Sequence, residues 1–141
     1  MLQFIQRYSV DTVSLSLLSL DINGFEEFTK YTETIDSKGP PVLFYFSGSK
    51  LPDGRSWCPD CVEAEPIIKA FLNELKKNVI FVYVDVGGRE YWKDKACPFR
   101  TDNRTKLMVI PTIIKWNGVQ RLEGSQCAKR ELLQMMFEDD E

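Results

Sequence analysis

The sequence predicts an α/β fold: a single domain whose central mixed sheet has about five strands and carries helices on both faces. Residues 42–46 are apolar at every position, which is typical of a central strand covered on both sides. Apolar residues then recur at helical spacing over 62–77, and a second apolar strand follows at 79–86. This order predicts parallel strands joined by a crossover helix, whereas Asn117-Gly118 between two apolar runs predicts a terminal antiparallel hairpin.

The chain divides into a loose arm at residues 1–12, a globular domain at 13–137 and an acidic tail at 138–141. A length of 141 residues is typical of one domain with a sizeable core. Residues 13–20 largely alternate apolar side chains with serine, which predicts a half-buried strand. The serines interrupt the apolar run and no small-x-small cleavage site follows, so a secretory signal is disfavoured.

Cap and breaker residues mark the other elements. Asn23 is a predicted helix N-cap, and Glu26 three residues later gives a capping-box pattern. Pro66 inside the 62–77 helix predicts a kink, and 89–102 are predicted to form a short helix and a loop. Ser125 is predicted to cap a last helix with an inward face formed by Leu132, Leu133, Met136 and Phe137.

Composition excludes several classes of function. The chain has no histidine, so Ser-His triads, histidine general bases and histidine metal ligands are absent from its chemistry. A net charge of −3 disfavours nucleic acid and anionic membranes as partners, and no apolar run reaches the length of a transmembrane helix. Four unevenly spaced cysteines are too few for a disulfide-stapled secreted scaffold of this size.

The chemistry centres on the motif Trp57-Cys58-Pro59-Asp60-Cys61, which stands between a buried strand and a helix. In that context two cysteines three residues apart predict a redox dithiol. A thiol at a helix N-terminus has its thiolate stabilised by backbone N–H groups, so Cys58 is predicted to attack and the better shielded Cys61 to resolve the mixed disulfide.

A metal site is the alternative interpretation of the two cysteines. Four thiolate ligands would require Cys97 and Cys127 to converge on the pair, without the second CxxC that zinc modules usually have. Ordinary free thiols are the expectation for both of these cysteines.

The two residues between the cysteines both disfavour the thiolate. Pro59 has no N–H to donate, and the carboxylate of Asp60 disfavours a nearby thiolate. Lys50 and Arg55 in the preceding polar loop, residues 47–56, could offset that charge. The residues alone leave the net sign open. They also give Pro111 a trans peptide bond by default, because most X-Pro bonds are trans.

Taken together, these features resemble the thioredoxin superfamily, and within it the small cytosolic thioredoxin-related proteins with a WCPDC site. The resemblance rests on the buried strand before the motif, the motif itself, Pro66 after it, and Ile110-Pro111-Thr112 followed by a hairpin. Further matching segments are Gly24-Phe25-Glu26-Glu27-Phe28, Gly48-Ser49-Lys50, Ala64-Glu65-Pro66 and Tyr91-Trp92-Lys93-Asp94.

The resemblance implies a thioredoxin fold and a role for each motif residue. Cys58 would be the nucleophile and Cys61 the resolving thiol, while Pro59 and Asp60 would set the redox potential. Trp57 would shield Cys58 and contact partners. The resemblance also implies that Pro111 is a cis proline that contacts substrate, although most X-Pro bonds are trans.

The activity implied is that of a disulfide reductase in the cytoplasm, acting as a monomer on cystine, other small disulfides and selected protein disulfides. No cofactor would be bound: a reversible Cys58–Cys61 disulfide would be re-reduced by thioredoxin reductase with electrons from NADPH. A peroxide-reducing side activity is also implied. The alternative is a binding or signalling module gated by the dithiol; a disulfide isomerase of an oxidising compartment is disfavoured, because the sequence shows no convincing signal peptide and the motif has no histidine.

Two departures from ordinary thioredoxin are visible. Tyr45 stands at the strand position of its buried aspartate, which assists proton transfer to the inner cysteine. The ten-residue loop at 47–56 is longer and is expected to narrow the range of substrates.

Overall fold

The computed structural model describes residues 3–10 and 13–138, with side chains from residue 17 to 138. The strands are β1 Gln3–Val10, β2 Val13–Asn23, β3 Val42–Ser47, β4 Val79–Asp85, β5 Thr112–Lys115 and β6 Arg121–Glu123. The α-helices are α1 Gly24–Thr32, α2 Pro59–Glu74, α3 Arg89–Lys93, α4 Pro98–Thr101 and α5 Arg130–Glu138.

The described strands form one mixed sheet in the order β1-β2-β4-β3-β5-β6. Strands β2, β4 and β3 are parallel, and β1, β5 and β6 join them antiparallel. The predicted mixed sheet and terminal hairpin are therefore confirmed. Strand β3 pairs on both sides, with β4 and β5, which explains why residues 42–46 are all buried.

The strand count exceeds the expected five because β1 extends the sheet. The segment interpreted as a loose arm, residues 1–12, contains this strand, which pairs along its length with β2. That interpretation is corrected for Gln3–Val10: strand pairing joins main-chain groups and needs no side-chain period. The other residues of the predicted arm, 1–2 and 11–12, lie outside the described residues, as do 139–141 of the predicted acidic tail.

Helices cover both faces of the sheet, as predicted. On one face, Phe28 of α1 packs against Phe44 and Phe46 of β3, with ring centroids 5.1 and 5.5 Å apart. On the other face, the side chains of α2 and α5 pack over the alternate residues Leu43 and Tyr45. The two faces of β3 therefore tie both helical layers to the strand that leads into the motif.

Two caps differ from the sequence pattern. At the start of α1, the backbone N–H of Asn23 donates to Glu27, at 2.8 Å, and not to the predicted Glu26, which pairs with Lys30 instead. At the carboxyl end, Ser125 does not cap one long helix. A 3-10 helix, Gly124–Ala128, is followed by Lys129 in extended conformation and then by α5.

The predicted inward face of the last helix is largely confirmed: Leu133, Met136 and Phe137 are buried, while Leu132 is half-buried. Residues 89–102 form two short helices, α3 and α4. Within residues 3–10 and 13–138, no helix has the length and apolarity needed to cross a membrane.

Candidate functional site

Helix α2 starts directly at the dithiol, at a proline suited to the first helical position, and so three residues before the apolar periodicity begins. Cys58 is its N-cap and Pro59 its first residue, where the missing N–H of proline costs nothing. The polar loop before the helix folds back on itself, and the backbones of Lys50 and Ser56 form an isolated antiparallel β-bridge. The hydroxyl of Ser56 accepts the backbone N–H of Cys58 at 3.1 Å, which fixes the chain as it enters the helix.

The two cysteines occupy the ends of one helical turn. The backbone N–H of Cys61 donates to the sulfur of Cys58 at 3.3 Å. Cys58 is 5% exposed and Cys61 is 1% exposed, so the inner thiol is the better shielded of the two, as predicted. Both are free thiols, and the geometry leaves Cys58 as the sulfur that an incoming disulfide can reach.

The electrostatics of the pair separate the two thiols. A hydrogen bond from the thiol of Cys61 and its backbone N–H outweigh burial and lower the pKa of Cys58 to about 7. The same thiol hydrogen bond, together with burial, raises the pKa of Cys61. At neutral pH Cys58 is therefore substantially a thiolate. Cys61 stays protonated, and its thiol donates a hydrogen bond to that thiolate.

The question that the sequence left open for Asp60 has an answer in two parts. Its carboxylate raises the pKa of Cys58 through its charge, and its backbone N–H lowers it through a hydrogen bond. Lys50 and Arg55 do not supply the expected compensation. Lys50 pairs with Glu65 at 2.6 Å, and Arg55 pairs with Asp53 at 3.6 Å. The lowered pKa of Cys58 therefore comes from the helix start rather than from the loop.

Pro111 lies opposite the dithiol. Its peptide bond with Ile110 is cis, so the default expectation of a trans bond is wrong and the geometry implied by the resemblance is confirmed. The carbonyl oxygen of Ile110 lies 3.7 Å from the sulfur of Cys58 and accepts from its thiol. The segment before Pro111 therefore forms one wall of the site.

Trp57, which directly precedes Cys58, is held by two neighbouring loops. Its indole Nε1–H donates to the carbonyl of Gly87 at 2.9 Å, and its ring packs over Gly48. A β-carbon added to Gly48 would come within 2.6 Å of that ring, so only glycine allows the approach. The position of the indole thus depends on two backbone segments that are distant in the chain.

Comparison with known proteins places the chain in a family. Residues 21–139 match the family model described as "Thioredoxin domain-containing protein 17-like, thioredoxin domain".

The chain belongs to the thioredoxin domain-containing protein 17-like family.

Relatives in this family align over most of their length. The chain is 40% identical to thioredoxin domain-containing protein 17 of Mus musculus over 121 residues, covering 86% of this chain and 95% of that protein. It is 42% identical to the Danio rerio protein of the same name, covering 84% and 94%. It is also 40% identical to the thioredoxin-like protein Clot of Arabidopsis thaliana, covering 69% and 74%.

Solved thioredoxin structures share the fold of this chain. Reduced Schistosoma mansoni thioredoxin pre-protein superposes with a TM-score of 0.56 at 19% identity, covering 86% of this chain and 96% of that one. Oxidised thioredoxin O1 from Arabidopsis thaliana gives 0.55 at 19% identity, with the same coverage. The predicted thioredoxin fold is confirmed, and membership of the family gives the chain a general thiol oxidoreductase role.

The site departs from ordinary thioredoxin at Tyr45, as the sequence indicated. The side chain is 1% exposed, and its hydroxyl has no hydrogen-bond partner among the described residues. Burial, which disfavours the charged form, raises the pKa of this phenol. Tyr45 forms the floor of a polar crevice of about 540 Å³ at the carboxyl ends of β2, β3 and β4, beside Glu65 and Lys69. Tyr45 therefore cannot take the place of an ionised carboxylate at neutral pH.

The other two cysteines are free thiols, as expected. Cys97 is 2% exposed, and Cys127 is fully buried with its thiol donating to the carbonyl oxygens of Leu122 and Pro111. Burial raises the pKa of Cys127 to about 12. Within the part of the chain that the structure describes, no three cysteine or acidic side chains are grouped as metal ligands.

Sequence reasoning missed the role of three residues that are distant from the motif or from one another along the chain but support the site in the fold: Ser49, Asp85 and Gly87. Their hydrogen bonds connect the end of β4 with the loop before the motif. Asp85 and Ser49 stand 36 positions apart, so no local pattern links them. Gly87-Gly88 after a buried strand marks a turn, and Gly48-Ser49-Lys50 matches the family, but neither pattern indicates what the residues contact.

Proposed function

We propose that this chain is a disulfide reductase that uses the Cys58/Cys61 dithiol. The observation that carries the proposal is the position of Cys58: its sulfur caps the first turn of α2 and accepts the backbone N–H of Cys61 at 3.3 Å. A sulfur held in this way is ionised near neutral pH, and a second thiol stands one turn away, as thiol–disulfide exchange requires.

The reaction proceeds in two exchanges. The Cys58 thiolate attacks one sulfur of the substrate disulfide, forms a mixed disulfide and releases the other sulfur as a thiolate. Cys61 then loses its proton and attacks the Cys58 sulfur, which closes the Cys58–Cys61 disulfide and releases the second substrate thiolate. Two electrons pass to the substrate, and two protons from solvent and Cys61 leave both product sulfurs as thiols.

A cleft beside the motif supports cystine and similar small disulfides as substrates. It has a volume of about 290 Å³ and lies between the long loop and α2, lined among others by Asp53, Arg55, Trp57 and Pro59. Asp53 and Arg55 pair with each other at 3.6 Å on exposed side chains, and each could instead pair with the ammonium or the carboxylate group at one end of cystine. The 5% exposure of Cys58 favours small disulfides and a restricted set of protein substrates over bulky ones.

The remaining parts of the proposal follow the family resemblance. Thioredoxin reductase would reduce the Cys58–Cys61 disulfide with electrons from NADPH, in the cytoplasm, with the chain acting as a monomer without a bound cofactor. The same Cys58 thiolate would attack a peroxide, break its O–O bond and become a sulfenic acid while water or an alcohol leaves; Cys61 would then displace water from that sulfur and close the Cys58–Cys61 disulfide, which would give a peroxide-reducing side activity.

The test is NADPH consumption with thioredoxin reductase and cystine. Wild-type protein is expected to turn over, whereas Cys58→Ser is expected to be inactive. Cys97→Ser is the matched control, because it removes a buried thiol outside the dithiol and should retain turnover. Absence of turnover in folded wild-type protein with a reduced dithiol would contradict the proposal.

A binding module gated by the dithiol is the second candidate. One observation favours it: Met108 and Val109 are 74% and 42% exposed, and they directly precede Ile110, whose carbonyl contacts Cys58. An apolar strip in this place could bind a partner in one redox state only. Partner binding that persists in Cys58→Ser without turnover would support this function over the reductase.

A further inference from the structure

The carboxylate of Asp85 lies at the end of β4 and holds two backbone segments together. Its Oδ1 accepts the hydroxyl of Ser49 at 2.6 Å and the backbone N–H of Gly87 at 2.8 Å. The backbone N–H of Ser49 in turn donates to the carbonyl of Gly87 at 3.0 Å. One carboxylate oxygen therefore closes a small ring of hydrogen bonds between the loop after β3 and the loop after β4.

This ring holds Trp57 on two sides. The carbonyl of Gly87, fixed by Asp85 through the adjoining N–H, accepts the indole Nε1–H at 2.9 Å. The carbonyl of Ser49, fixed through its own hydroxyl, accepts the backbone N–H of Trp57 at 3.2 Å. Both anchors of the residue that immediately precedes Cys58 thus belong to residues bound by Asp85.

The same segment also contacts the backbone of Cys58 and the sulfur of Cys61. The hydroxyl of Ser56 donates to the carbonyl of Gly48 at 2.9 Å and accepts the backbone N–H of Cys58 at 3.1 Å. The backbone of Gly48 hydrogen-bonds the sulfur of Cys61. A shift of the Gly48-Ser49 segment would therefore change the surroundings of Cys58 and Cys61 together.

We propose that Asp85 is a positioning residue for the dithiol: by binding Ser49 and Gly87 it fixes Trp57 and Gly48, and so holds Cys58 in the geometry that stabilises its thiolate. The inference deepens the proposed function, since it concerns the same attacking sulfur. It depends on the thiol chemistry of Cys58 and not on any particular substrate.

A charge effect of Asp85 and its positioning role would change the pKa of Cys58 in opposite directions. A carboxylate disfavours a thiolate, so removing the charge alone would leave the pKa of Cys58 unchanged or lower it. Removing the hydrogen bonds would loosen the helix entry and raise it. Asp85→Asn removes the charge but keeps an oxygen that can accept from both partners, whereas Asp85→Ala removes both. A rise in the pKa of Cys58 in Asp85→Ala would therefore indicate the positioning role, because loss of charge alone would not raise it.

The experiment is the pH profile of Cys58 alkylation by iodoacetamide in the reduced full chain, followed on the Cys58 peptide by mass spectrometry. Asp85→Ala is expected to raise the apparent pKa by about half a unit or more, which lowers the rate at pH 7 about twofold. Asp85→Asn is expected to give a profile at or below that of wild type. Asp36→Ala, which removes a carboxylate from an exposed turn, is the matched control and should leave the profile unchanged.

Ser49→Ala provides a second route if Asp85→Ala fails to fold, because it removes one hydroxyl and leaves the carboxylate in place. It is expected to shift the profile in the same direction as Asp85→Ala, and the double variant should shift it by less than the sum. An unchanged or lowered pKa in both Asp85→Ala and Ser49→Ala would overturn the inference. If wild-type protein shows the expected alkylation profile of Cys58 but does not turn over cystine, the result would count against the proposed function alone.

Discussion

The backbone N–H of Cys61 points at the sulfur of Cys58 from 3.3 Å, so the first turn of α2 binds the thiol that caps it. Together with the thiol of Cys61, this contact holds the pKa of Cys58 at about 7, and the attacking species is the thiolate. We expect the alkylation rate of Cys58 in the reduced protein to rise with pH through a midpoint at about 7 and to level off about one pH unit above it. The measurement is the iodoacetamide rate against pH. A midpoint near 9, the value of an unperturbed thiol, would contradict it.

The thiol of Cys61 is expected to tune Cys58 separately from the backbone. Cys61→Ser keeps a side-chain donor beside the thiolate, whereas Cys61→Ala leaves the backbone N–H alone. The pKa of Cys58 should therefore be lower in wild type and in Cys61→Ser than in Cys61→Ala. The same alkylation profile checks this order, and equal values for the serine and alanine variants would show that the side-chain hydrogen bond has no effect. Both variants should also accumulate a mixed disulfide with substrate, visible by mass spectrometry.

Asp60 raises the pKa of Cys58 through its charge, so Asp60→Asn is expected to lower that pKa further below about 7. The backbone N–H at this position is unchanged, which isolates the charge. A more stable thiolate makes the disulfide easier to reduce, and the redox potential should become less negative in a titration against glutathione. Glu63→Gln, an exposed neighbour on the same helix, is the control and should leave the potential unchanged. A more negative potential for Asp60→Asn would argue against a charge effect.

The sequence was sufficient to predict the dithiol, its place before a helix and the buried strand, because each depends on spacing within a few residues. It was not sufficient for contacts between distant segments. Asp85 and Ser49 meet only because β3 and β4 are parallel neighbours that end side by side. The strand at Gln3–Val10 escaped for a related reason: main-chain pairing with β2 determines it, and its side chains carry no clear period.

The capping residues of two helices were predicted wrongly because neighbouring side chains compete for the same backbone groups. Glu27 rather than Glu26 bonds the backbone of Asn23, although both carboxylates lie within reach of the helix start. Ser125 fits the pattern of a helix cap, but Glu123 and Gln126 form the reciprocal capping pair and set up a 3-10 helix instead. Local patterns therefore predicted that a helix begins nearby, and competition between neighbouring side chains decided which residue bonds the backbone there.

The buried hydroxyl of Tyr45 is expected to lower stability. It has no hydrogen-bond partner among the described residues, and an unsatisfied buried hydroxyl costs about 1–3 kcal/mol. Tyr45→Phe keeps the ring packing and should increase the free energy of unfolding by about 1 kcal/mol in urea denaturation. Tyr91→Phe, at a side chain that is 45% exposed, is the control and should change stability by less than about 0.5 kcal/mol. Destabilisation by Tyr45→Phe would mean that the hydroxyl is bonded in solution.

The contact between Gly48 and Trp57 is expected to tolerate no side chain. A β-carbon at Gly48 would lie 2.6 Å from the indole, so Gly48→Ala must displace Trp57 or the loop. Overpacking of this kind costs about 1–3 kcal/mol in urea denaturation, and the displaced indole should also shift the alkylation profile of Cys58. Gly88→Ala is the matched control, because its β-carbon would meet no atom within 4 Å and the substitution also stiffens the unfolded chain. If the two variants unfold at the same urea concentration, the close approach of Gly48 to the indole contributes nothing to the fold.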